Sequence, residues 1–223
     1  MEQISPKEMK ENESYLGLVL IRDSTSVFED IYGKEAFAMT EQAELEFTLK
    51  MLRCPFLERK IRAMNEFKDF VDRADPYLDF RKLGDRKPLK YINQEKLRNW
   101  FIQQKVVEYI LGDETHVELL KRAPILFNFL CQTNGLSNEH LNLLWKSAEG
   151  KYEEYVRAVY DTLIDLSGSM SIEALEFVFA RIDSIPVEEY SEMTVNLIRE
   201  YSIKAMSTVS SSQNSTCKSH FAL

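Results

Sequence analysis

A nine-residue pattern occurs three times in this chain and limits what it can fold into. Asn93-x-Glu95-x-Leu97-x-x-Trp100-Phe101 returns as Ser137-x-Glu139-x-Leu141-x-x-Leu144-Trp145 and again as Ser171-x-Glu173-x-Leu175-x-x-Val178-Phe179. Each copy opens on a small polar residue that can accept a backbone N–H at a helix start. An acid follows in the first turn, where the helix dipole favours negative charge, and apolar residues then fall on one helical face. The starts at 93, 137 and 171 are 44 and 34 residues apart, the range of two-helix repeat units. One such unit cannot bury its apolar face alone and must stack on neighbours. A chain organised this way builds a surface rather than a reaction centre.

Composition agrees with helices. Only 7 Gly and 6 Pro occur in 223 residues, too few for a turn-rich β protein, while 44% hydrophobic and 29% charged residues are ordinary for a soluble fold. The net charge of −8 opposes nucleic acid as a main partner, because phosphate binding needs a basic face. The most basic stretch, Arg81, Lys82, Arg86, Lys87 and Lys90, also holds Asp85 and reads as a solvated loop. Three cysteines, Cys54, Cys131 and Cys217, form no disulfide framework and point to a reducing compartment. The apolar run Tyr15 to Ile21 is too short to span a bilayer, and it follows Glu8, Glu11 and Glu13 rather than a basic leader. No membrane partner is expected, and the cytoplasm and also the nucleus are the expected locations.

Three regions follow from the pattern along the chain. Residues 1–39 are ambiguous between strand and helix. Residues 40–206 read as a helical-repeat domain, with stripes at Leu45, Leu49 and Leu52 and at Ile61, Met64, Phe67, Phe70 and Val71. Pro55 is placed at the first position of the second helix, and Asp75-Pro76 ends it. Thr115 and Glu118 form a capping box, with Asp113 an alternative cap. Pro124 is expected to kink a continuous helix, and Pro186 to open the last one. Residues 207–223, rich in Ser, Thr and Asn, are expected to be disordered. The fold class is therefore all-α, an α-α superhelix of armadillo or HEAT-like helical pairs. The tetratricopeptide class shares the 34-residue offset but wants a Trp-x-x-Leu-Gly signature that is absent here.

Candidate chemistry is sparse. A Cys/His nucleophile would pair Cys54, Cys131 or Cys217 with His116, His140 or His220. Cys131 follows an apolar helical stretch and Cys54 sits at a helix junction, so both read as packing residues. His116 and His140 fall in first helical turns and read as surface or capping groups. Cys217-x-x-His220 supplies only two of the four ligands that zinc needs. The acid pairs Glu153/Glu154, Glu188/Glu189 and Asp161/Asp165 lie on polar helical faces, and no glycine-rich loop follows a strand. No catalytic, metal or cofactor residue is assigned. Trp100, Phe101, Trp145 and Phe179 are taken as core, with a concave groove lined by a few of them as the lesser reading.

Several strings carry a family resemblance. Leu52-Arg-Cys-Pro-Phe-Leu-Glu-Arg-Lys-Ile-Arg-Ala-Met-Asn-Glu66, Val107-Glu-Tyr-Ile-Leu-Gly-Asp-Glu-Thr-His-Val-Glu-Leu-Leu-Lys-Arg122 and Gly135-Leu-Ser-Asn-Glu-His-Leu-Asn-Leu-Leu-Trp145, followed by Ala148-Glu-Gly-Lys151, make residues 45 to 205 resemble part of a large enzyme family. That part is the helical region of the fat-facets type of ubiquitin-specific protease. The resemblance implies a non-catalytic armadillo-type solenoid upstream of a cysteine-protease domain, serving substrate and partner recruitment. Asn214-Ser-Thr-Cys217 echoes the family's nucleophile box but lacks its glycine and tyrosine, with only residues 218–223 beyond it, so no catalytic residue carries over. The implied partners are proteins, ubiquitin-pathway components among them. A fragment of a full-length deubiquitinase and a free-standing regulatory adaptor are the alternatives.

Overall fold

A computed structural model of the chain describes residues 38–77, 88–112 and 115–220, with side chains described as far as residue 210. The run from Tyr15 to Ile21, the candidate cap Asp113 and most of the basic stretch from Arg81 lie outside the described residues. The described residues are helical, with no strand among them. They form α1 (38–53), α2 (Leu57–Ala74), α3 (Gln94–Gln103), α4 (Val106–Ile110), α5 (Val117–Leu120), α6 (Pro124–Gln132), α7 (Asn138–Lys146), α8 (Glu153–Leu166), α9 (Ile172–Asp183) and α10 (Glu192–His220). A single 3-10 turn, Val187–Glu189, precedes α10. The chain divides into two compact units, with the boundary between Trp100 and Phe101.

In the first unit, Leu45, Leu49 and Leu52 of α1 and Met64, Phe67 and Phe70 of α2 are all buried, as their helical spacing predicts. Phe67 meets Trp100 with ring centroids 6.1 Å apart and planes tilted by 60°. Polar groups are buried here too. Arg73 Nη1 lies 3.2 Å from Glu44 Oε2 and 3.5 Å from Asp69 Oδ2. Glu41 accepts the backbone N–H groups of Lys90, Tyr91 and Ile92 at 2.7, 3.0 and 3.0 Å, pinning the strand-free segment ahead of α3 to α1. Buried donors without such acceptors are costly, which explains a carboxylate at this depth.

In the second unit, α8 is the central helix and packs against α5, α6 and α10, while α9 packs against α7 and α10. Tyr155, Val159, Leu163 and Leu166 give α8 its buried side. Phe101 and Phe129 meet edge to face, with centroids 6.0 Å apart. Lys105 turns the chain from α3 into α4 through the left-handed region at φ 53°, an uncommon conformation for a side chain without Asn or Gly character.

All three repeated caps form. Asn93 Oδ1 accepts from Lys96 N at 2.9 Å, Ser137 Oγ from His140 N at 3.4 Å, and Ser171 Oγ from Ala174 N at 3.2 Å. Ser191 repeats the arrangement with Thr194 N at 3.2 Å. The first-turn acids respond. A hydrogen bond from Ser137 holds the Glu139 carboxyl below its ordinary range, and the Glu173 carboxyl is lowered by its own backbone N–H and then by Ser171.

Several boundaries differ from the sequence reading. The helix after Pro55 begins at Leu57 with Phe56 as its N-cap, because Phe56 is extended (φ −91°, ψ 120°) and its carbonyl accepts the first bonds from Arg59 and Lys60. Pro124 starts α6 rather than kinking a continuous helix. A ring at that position clashes with the carbonyl four residues back, so α5 ends at Leu120 and i→i+3 bonds carry the chain across. Pro186 does not open α10. It is instead the extended N-cap of the 3-10 turn, which ends at Tyr190, and Ser191 provides the cap of α10. The cap of α5 is His116, whose Nδ1 accepts Glu118 N at 3.2 Å, while Thr115 N is used in a turn to Gly112 O.

At the end of the chain the backbone of α10 runs to His220. The first hydroxyls of the serine-rich stretch bond to backbone carbonyls. Ser207 Oγ and Thr208 Oγ1 donate to Lys204 O, Ser210 Oγ donates to Met206 O, and Thr208 Oγ1 also reaches Ser167 O at 3.2 Å.

Candidate interaction surface

Among the described residues, Cys54, Cys131, His116 and His140 are taken up by packing and capping. Cys54 is buried and its Sγ donates to Phe56 O at 3.7 Å. Cys131 Sγ donates to Ser169 O at 3.2 Å, and burial pushes its thiol up to about 11. A thiol in that range is neutral near pH 7 and a poor nucleophile. His140 closes the capping box of α7, with Nδ1 accepting Ser137 N at 3.2 Å. A neutral ring therefore carries its proton on Nε2, which faces Glu108 Oε1 at 3.8 Å. The partners of Cys131 and His140 have no residue in common. For Cys217 and His220 only the backbone, part of α10, is described. Among the described residues no group of three His, Cys, Asp or Glu side chains is placed to hold a metal ion. No helix among them is long and apolar enough to cross a membrane.

The acid pairs behave as solvated faces. Glu153 pairs with Arg157, Glu154 with Lys121 and Asp165 with Lys204. Asp161 differs, since burial and then the neighbouring Asp165 raise its carboxyl against the pull of Arg157. It lines a polar recess of about 350 Å³ with Tyr160, Asn196 and Arg199.

The aromatics of the repeat do not share one fate. Phe101, Trp145 and Phe179 occupy the same last position of the pattern. Phe101 is fully buried, Trp145 is half-buried and stacked on Tyr160 (centroids 6.0 Å, 24°), and Phe179 is 50% exposed. The expectation that all four aromatics are core holds for Trp100 and Phe101 and fails for Phe179. Phe179 instead lies in an open apolar groove of about 600 Å³ between α9 and α10. Ile172, Leu175, Tyr201, Met206 and Val209 line the same groove, with Ile172 43% and Met206 71% exposed. Its charged lining residues are Glu176 and Asp183, both on α9.

The sequence holds a signal for this groove that the repeat pattern alone hides. At about 100° per residue, Leu175, Val178 and Ile182 fall on one side of α9, while Ile172, Glu176, Phe179 and Asp183 fall within roughly 60° of one another on an adjoining side. The first set is buried and the second lines the groove. A helix bearing two apolar stripes, one interrupted by acids, presents a second face for something to cover.

Residues 38–209 match the family model described as the UBP24/USP9X/USP9Y ARM repeat. The chain belongs to that armadillo-repeat family. This armadillo-repeat chain is 24% identical over 101 residues to the ubiquitin carboxyl-terminal hydrolase puf of Drosophila melanogaster, covering 45% of the chain and 2% of that protein. Over 71 residues it is 32% identical to ubiquitin carboxyl-terminal hydrolase 34 of Homo sapiens, covering 31% of the chain and 2% of that protein. The match thus spans about 2% of the length of these curated relatives. It is an armadillo-type region similar to that of large ubiquitin-specific proteases, as the strings between residues 45 and 205 imply.

Proposed function

We propose that this armadillo-repeat chain is a non-catalytic protein-interaction scaffold of the deubiquitination pathway, working in the cytoplasm and nucleus. The observation that carries this reading is the groove between α9 and α10, where Ile172, Phe179 and Met206 stay exposed. Exposed contiguous apolar surface is costly to keep unless something binds it. The thiol of Cys131, spent on a backbone carbonyl and hard to ionise, supports the same view. The test is to incubate residues 1–223 with a ubiquitin–fluorophore substrate and a ubiquitin-based cysteine probe, and in parallel to use the chain as bait. The reading expects neither hydrolysis nor labelling, and capture of ubiquitin-pathway proteins. Hydrolysis that disappears with Cys217→Ser would overturn it.

A second reading is favoured by the 2% coverage of the relatives: the same surface serves as one piece of a full-length deubiquitinase. An in-frame cysteine box in the genomic sequence downstream of Leu223 supports it, and a stop codon with no homologous exon counts against it.

A further inference from the structure

The charges around the groove say what kind of segment would cover it, given the scaffold reading on which this inference rests. We propose that the α9–α10 groove receives a single amphipathic helix from a partner protein, its apolar stripe flanked by lysine or arginine side chains two turns apart. Glu176 and Asp183 are seven residues apart on α9, about 10 Å at 1.5 Å per residue, and both line the apolar floor. Among the described residues neither is in an ion pair. Of the described cations on the same two helices, Arg181 stacks on the Phe177 ring at 5.3 Å, and Lys204 pairs with Asp165 at 3.1 Å.

The geometry selects a helix as occupant. Both walls are helices, so the rim offers no sheet edge to which an extended peptide could add. Ridges of side chains from two helices make a groove that a third helix fills, reading anchors at i, i+3 or i+4, and i+7. The 12 residues of α9 give a trough about 18 Å long, enough for three turns of a partner.

Charge narrows the partner further. A second copy docking by the same face would bring four carboxylates together, and like charges across an interface oppose association. Phosphate-rich partners such as RNA or anionic membranes are repelled for the same reason. A basic-flanked helix satisfies both acids at the rim while its apolar side covers Phe179 and Met206.

The test uses a designed, fluorescein-labelled helix of roughly 20 residues with Leu at i, i+4 and i+7 and Lys on both flanks, beside an otherwise identical peptide with Glu flanks. Fluorescence anisotropy with the full 223-residue chain should show tighter binding of the Lys peptide. Phe179→Asp and, independently, Met206→Asp should each weaken that binding at least about tenfold. Both side chains are exposed, so circular dichroism should be unchanged. The reversal Glu176→Lys with Asp183→Lys should switch preference to the Glu peptide. Equal binding of both peptides, or no effect of the reversal, overturns the proposal. So does sedimentation showing a dimer that Phe179→Asp dissolves, which would make a second copy the occupant. Failure here without ubiquitin hydrolysis sinks only the helix, whereas hydrolysis sinks the scaffold reading itself.

Discussion

The hydroxyl of Tyr201 donates to the carbonyl oxygen of Leu175 across 3.0 Å, tying α10 to α9 directly beneath the exposed groove. Tyr201 is fully buried, and the carbonyl it meets belongs to the helix that carries Phe179. Removing the hydroxyl leaves ring packing intact and a carbonyl with one acceptor site empty. Tyr201→Phe should therefore cost about 1 kcal/mol, read as a lower urea midpoint at unchanged m-value. An m-value change would mean that α10 has come away from α9.

The buried trio in the first unit should respond more strongly. Arg73→Ala leaves Glu44 and Asp69 facing one another without their shared cation, and breaking a buried pair costs about 3–5 kcal/mol. Arg73→Met together with Glu44→Leu and Asp69→Leu should recover much of that loss. Equal destabilisation by the single and triple variants would show that the charges are not coupled.

Glu41 holds three backbone amides, so Glu41→Ala strands all three. A loss of about 3 kcal/mol is expected, with amide exchange at Lys90, Tyr91 and Ile92 accelerating first. Glu41→Gln, which keeps one acceptor, should fall between.

The last position of the repeat predicts a gradient. Phe101→Ala removes a fully buried ring and should cost about 3–5 kcal/mol, Trp145→Ala about 2, and Phe179→Ala under about 0.5. Thermal melts of the three variants check the order. A Trp145 variant as costly as Phe101→Ala would place that indole deeper than its stacking on Tyr160 indicates.

Alkaline pH should destabilise the fold. Burial raises the Cys131 thiol from 9.0 to about 11 and raises the Tyr201 phenol as well. Both groups hold their protons more tightly when folded, so the unfolded chain ionises first. Stability is retained below about pH 9 and falls as pH climbs from there towards 11. Urea midpoints between pH 7 and 10.5 measure this, and Tyr201→Phe should flatten the slope.

How far the sequence could be read varies by element. The caps at Asn93, Ser137 and Ser171 and the stripes of α1 and α2 were fully legible, because each depends on spacing within one helix. The proline boundaries were not, since whether Pro124 kinks or starts a helix turns on a clash one turn back and on the bonds its neighbours can make instead. The groove was half legible. Ile172 and Phe179 advertise a second stripe, but the wall opposite them comes from Tyr201, Met206 and Val209, about 30 residues later, and that pairing is set by tertiary packing. At the start of the serine-rich end, Thr208 is held through its hydroxyl to Ser167, a contact that composition does not register.

The contact of Arg73 with two acids has an evolutionary corollary. No member of the trio can be exchanged alone without passing through a poorly folded intermediate, whereas an oily replacement of the whole set would be tolerated. Lineages descending from this chain should therefore alter positions 44, 69 and 73 in concert or leave all three untouched, even while the solvent-facing acids of α8 drift freely.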